Sequence, residues 1–142
     1  MADLSVAVEY DRVYPVVIRH PVTGDDEGVR VNVVSKDSRR VVEALRKEQG
    51  DYWSKLADGV KDAAVPDVER VVLINCIDSW DWAGSEFAHI SGAGAASLDD
   101  RIFLIDHPNA KWFRDQLAAG TANLENFSQA LPKIARRGLK KT

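Results

Sequence analysis

The segment "VERVVLINCIDSWDW", residues 68 to 82, limits what this chain can fold into more than any other. Apart from Asn75, every side chain from Val71 to Ile77 is apolar. A stretch apolar nearly all round must be enclosed on every side, so the rest of the chain has to be built around it. Pro66 suits a first helical turn, and Asp67 and Glu69 suit the positive end of a helix dipole. The expectation is a central buried helix running on to Trp80 and Trp82.

The flanking sequence supplies the packing partners. In "VYPVVIRHPVTGDDEGVRVNVVSKDS", Tyr14, Val16 and Ile18 alternate, and so do Val29, Val31 and Val33 after a Gly/Asp-rich turn, which predicts a β-hairpin. Pro15 cannot donate a ladder hydrogen bond, so its strand starts there or lies at an edge. "LSVAVEY" can add a short strand. Asp37 or Ser38 can cap a helix in which Val42, Leu45, Trp53, Leu56 and Val60 recur at helical intervals, with Gly50 dividing it in two. Residues 83 to 96 hold three glycines and no clear period, which predicts an irregular loop. "SLDD" opens a short helix at Ser97, and Pro108 opens a last one carrying Trp112, Phe113, Leu117, Leu124 and Phe127, weakened at Gly120.

The expected fold is therefore α+β, an N-terminal β-hairpin followed by a small bundle of four to five helices. A length of 142 residues, with 45% hydrophobic and 29% charged side chains, suits one globular domain, placed at residues 1–127. Residues 128–142 contain "LPKIARRGLKKT", with five basic residues and no acid, and are expected to form a flexible basic tail.

Composition also narrows function. A net charge of −3 gives no global attraction to nucleic acid or anionic membrane. A single cysteine, Cys76, leaves no disulfide framework or cysteine-rich zinc site and fits a reducing cytoplasm. No apolar run approaches the roughly 18 to 20 residues that cross a bilayer, and the start "MADLSVAVEYD" lacks a signal peptide's basic residues.

Catalysis needs a base, a nucleophile or metal, and a group orienting them. His20, His89 and His107 stand in separate turn-like settings, none spaced as metal ligands on one helix. Asp78 and Asp81, near the end of that helix at i and i+3, share a face and could pair for acid–base work, but no third polar group accompanies them and they read as its solvated edge. Cys76 reads as a small buried hydrophobe. "SGAGAAS" lacks the Lys-Ser/Thr ending of a phosphate loop. No catalytic, cofactor or metal site is expected. Trp80 should pack in the core, whereas Trp82 at the helix end can pack inside or anchor a partner. Residues 81 to 90 are thus the expected docking rim, with Trp82, Phe87 and Ile90 as its contacts.

Three segments in order resemble one family. "IRHPVTGDDEGVRVNVVSKDS" resembles a strand, an "hP-x-TG" turn, a second strand and a "DS" leading into a helix. "VLINCIDSWDW" resembles an apolar helix ending in a tryptophan and a further aromatic. "RIFLIDHPNAKWFRDQLAAGTANLENF" resembles a "D-P-x-x-x-W-[IF]-R-x-Q" segment closing in "x-N-F". Together they are similar to the tail assembly chaperones of long-tailed bacteriophages and prophages. The loop "AGSEFAHISGAGAAS" departs from that family's Gly-Glu-Pro-Leu-like connector. The resemblance implies a non-enzymatic protein of the host cytoplasm that binds the tape measure protein and recruits major tail tube protein subunits. It also implies a possible homo-oligomer, for which the hairpin's edge strand offers a pairing surface. The alternative is a structural tail component retained in the virion.

Overall fold

The structure, a computed structural model, describes residues 6–130. Its centre is a four-stranded antiparallel sheet in the order β2-β3-β4-β5, formed by Tyr14–Arg19, Asp26–Val33, Ile77–Phe87 and Ile90–Ala95. Alternation explains the first pair. Val16, Ile18, Val29, Val31 and Val33 all turn inward and are buried, while Pro15 and Arg19 face out. Val16 pairs with Val31 and Ile18 with Val29, so the register places apolar side chains opposite one another. β2 is an edge strand, which is where Pro15 is tolerated. A second, two-stranded sheet joins β1 (Val6–Val8) to β6 (Ser128–Ala130).

The helices are α1 (Arg39–Ala57), α2 (Val68–Cys76), α3 (Leu98–Asp106) and α4 (Lys111–Ala122), with 3₁₀ turns at Pro108–Ala110 and Leu124–Phe127. Local chemistry sets several of their starts. The Asp67 carboxylate accepts the Arg70 amide at 3.2 Å, and the Ser97 hydroxyl accepts the Asp100 amide at 3.2 Å. α2, α3 and α4 place Leu73, Ile74, Leu104, Ile105, Phe113 and Leu117 in one core with the inward sheet residues.

The expected hairpin followed by a helical bundle is overturned. The sheet is central, and two of its strands follow α1 and α2 in the chain. The apolar helix stops at Cys76, and Ile77 turns directly into β4 with φ −75° and ψ 120°. The sequence from Ile77 alternates, so Trp80 and Trp82 share one strand face; as a strand it pairs with β3, and Val31 meets Trp80. Residues 83 to 96, expected as an irregular loop, instead complete a β4–β5 hairpin whose two-residue turn, Ala88-His89, joins the paired Phe87 and Ile90. Gly50 does not divide α1, which is continuous over 19 residues. Strand β6 carries the paired structure past residue 127, and the rest of the expected basic tail, residues 131–142, lies outside the described residues.

Gly120 is where α4 meets the sheet. A Cβ there would stand 2.7 Å from Cγ2 of Val16, a buried β-branched side chain with little rotamer freedom. In a free helix Gly→Ala gains up to about 1 kcal/mol. Here the overlap should win, and Gly120→Ala is expected to lower stability by about 1–3 kcal/mol in urea unfolding. A stabilised variant would show that α4 stands further from β2.

Candidate partner-binding surface

α1 is about 28 Å long at 1.5 Å per residue, yet of its 19 residues it fully buries only Val41. Its first turns are tied down. The Arg39 amide donates to Asp11 Oδ1 at 2.8 Å, and Arg40 bridges to Asp78 on β4 at 3.0 Å. Ser38 occupies the N-cap without making a side-chain cap, and its buried hydroxyl has no partner among the described residues. The helix ends at Ala57 and is closed by Gly59, whose φ of +86° lets the Gly59 amide reach Leu56 O and the Val60 amide reach Lys55 O.

Val42, Leu45, Gln49, Trp53 and Leu56 fall on one stripe of α1, three or four residues apart. Val42 and Leu45 line a groove of about 780 Å³ between α1, α2 and α4, with Val68, Val72 and Ala118 across from them. Lys36, Asp37, Arg46 and Glu69 bring both signs of charge to its lining. Beyond the groove the stripe continues unaccompanied, with Trp53 66% and Leu56 36% exposed. Val60 and Val65, in the connection to α2, and Val68, the first residue of α2, add further exposed apolar surface. The spacing of Val42, Leu45, Trp53, Leu56 and Val60 predicts one face of a helix in a bundle, and Val60 lies beyond the end of α1. The Trp53 and Leu56 end of the stripe is left open.

The expected docking rim is the reverse case. Trp82 is 4% and Ile90 2% exposed, and Phe87 is half-buried against the core. Trp82 stacks on Phe113 at 5.9 Å and on Phe87 at 6.5 Å, with Trp80 edge-on at 5.9 Å. Both tryptophans of β4 are core, because strand geometry sends residues 80 and 82 to the same side.

The other sequence candidates are separated and individually occupied. Asp78 holds Arg40, while Asp81 accepts the Ala83 amide at 2.9 Å. The imidazole of His20 accepts the Val22 and Thr23 amides, that of His107 accepts the Asn109 amide, and His89 pairs with Asp100. Burial pushes the Cys76 thiol up to about 12, so it is not a thiolate at neutral pH. Paired with Arg70 at 2.7 Å, Asp106 is held below the usual carboxylate range, chiefly by that hydrogen bond, and remains charged. Among the described residues no group of three or more His, Cys, Asp or Glu side chains is placed to hold a metal ion. No helix among them is long and apolar enough to cross a membrane.

Two segments distant in sequence meet at the turn after β2. Gln116 of α4 accepts the Arg19 amide at 2.9 Å and donates to the Arg19 carbonyl at 2.8 Å. "RHPVTG" and "WFRDQ" therefore form one structural unit, clamped through both groups of one side-chain amide. The result is a small α+β domain with an open apolar helix face. In comparisons with known proteins, the chain matches no family model, no curated protein and no solved structure.

Proposed function

We propose that this protein is a non-enzymatic tail assembly chaperone of a long-tailed phage or prophage. In the host cytoplasm it binds the tape measure protein and recruits major tail tube subunits. The observation that carries this reading is the unpaired stripe of α1 beside its groove. A helix face whose apolar residues Val42, Leu45, Trp53 and Leu56 share one stripe is suited to another amphipathic helix, and exposed apolar surface of this kind calls for a cover. Tape measure proteins enter through the resemblance of the three ordered segments. Two of those segments are clamped together by Gln116 and Arg19, which supports treating them as parts of one device.

Co-expression tests the reading. The wild-type protein should raise the soluble yield of its cognate tape measure protein. Trp53→Ser combined with Leu56→Ser should remove most of that gain while leaving the thermal midpoint within a few degrees, because both side chains are exposed. Interface anchors of this kind commonly carry about 1–4 kcal/mol each. Equal tape-measure solubility with and without the protein would count against chaperoning. Stoichiometric copies in purified virions would point instead to a structural component retained in the tail.

A further inference from the structure

The central sheet has two edges, β2 and β5, and they are treated differently. On β2, Pro15 has no N–H to offer, and the amide and carbonyl of Arg19 are both taken by Gln116 of α4. Two of its residues are therefore unavailable to a further strand. β5 carries neither device. Its sequence, ISGAGA, holds no proline and no charge, and residues 91–95 are exposed. The direction of its backbone groups follows from one bond. The Ala96 amide donates to the Asp78 carbonyl at 3.4 Å, and Ala95, Gly94 and Ala93 pair in unbroken register with Ser79, Trp80 and Asp81. Bonded and non-bonded pairs alternate along an antiparallel ladder, so Gly94 bonds to β4 while the N–H and C=O of Ala93 and Ala95 point away from it. Among the described residues no backbone group from outside the sheet bonds to them.

We propose that β5 pairs with β5 of a second copy of this chain, antiparallel and centred on Gly94. In that register Ala93 faces Ala95 of the second copy, Ala95 faces its Ala93, and each pair exchanges two N–H···O bonds. Gly94 faces its own counterpart at a non-bonded position, where strands approach most closely, and neither glycine has a side chain to obstruct the approach. The twofold satisfies the same outward groups on both copies at once, which makes a second copy the occupant. The strand is uncharged, so that copy brings no like charge against it. No large side chain enters the contact, and the dimer is accordingly weak and concentration-dependent. The pairing uses no residue of the α1 stripe and does not rest on the reading built on it.

Sedimentation velocity of the full-length protein from about 10 µM to 1 mM should show monomers giving way to dimers. Over the same range amide exchange should slow at Ala93 and Ala95 and stay unchanged at Gly94, which is already bonded within the sheet. The Ala93→Lys/Ala95→Lys and Ala93→Glu/Ala95→Glu variants change exposed positions only, so their thermal midpoints should stay within a few degrees of the wild type. Each alone should self-associate about tenfold more weakly, because like charges then face one another across the contact. Mixed in equal amounts, the two should form heterodimers at least as tight as the wild-type dimer. Ala95→Pro, which removes an outward N–H, should also weaken the dimer by about tenfold. A wild-type protein that stays monomeric throughout, a dimer indifferent to these substitutions, or a lysine–glutamate mixture that stays monomeric would each overturn the proposal.

Discussion

Trp80→Ala is expected to lower stability by about 3–5 kcal/mol, because a large ring leaves a cavity that the sheet cannot close. Trp80 is 5% exposed, lies opposite Val31 of β3, and meets Trp82 edge-on at 5.9 Å. On its other side it pairs with Gly94 of β5, which has no side chain to move into the vacated volume. A domain of this size has roughly 5–15 kcal/mol in total, so the loss is a large share of it. The thermal midpoint should fall by about 10–20 °C. Trp80→Phe, which keeps an aromatic ring, should recover part of the loss. An unchanged midpoint in the alanine variant would place Trp80 at the surface and contradict the inward face of β4.

Phe127→Ala should have a comparable effect, again about 3–5 kcal/mol, but with a second signature. The Phe127 side chain is fully buried and meets Tyr14 edge-on at 6.1 Å. Its carbonyl accepts the Glu9 amide at 2.8 Å, and the next residue begins β6, which pairs with β1. One residue therefore fastens both strands of the small sheet to the core. Amide exchange at Ala7, Val8 and Glu9 should accelerate more than exchange in β3, since the small sheet would open before the domain unfolds. Equal acceleration everywhere would mean that β1 and β6 are held by something other than Phe127.

The features legible in the sequence are those whose cause lies within a few residues. The alternation of Val29, Val31 and Val33 predicts a strand, and Ser97 and Asp67 announce helix starts through amides three residues on. The switch at Ile77 is masked in the sequence, because an apolar run suited to a buried helix is followed at once by residues of period two. Trp80, Asp81 and Trp82 carry that strand signal, but they also fit the last turn of a longer helix. The strand from Ile90 to Ala95 is built of small residues with no apolar face of its own. It exists through pairing with β4, as Ser79 with Ala95 and Phe87 with Ile90. Coverage is also a tertiary property. The spacing of Val42, Trp53 and Leu56 shows a stripe, but whether another element covers it depends on where the sheet sits. The converse holds for Trp82 and Ile90, whose sequence positions suggest availability although both are enclosed.

The proposed docking of an apolar tape measure helix on the open face of α1 is tested most directly by hydrogen–deuterium exchange of the full-length protein, free and mixed with its cognate tape measure protein. In the free protein the amides of residues 50–57 should exchange quickly, since this half of α1 buries no side chain completely. In the mixture those amides should become protected, together with the groove residues Val42, Leu45 and Val72, while the core amides of β3 stay as they were. Unchanged exchange throughout α1, or protection confined to another surface, would contradict the claim.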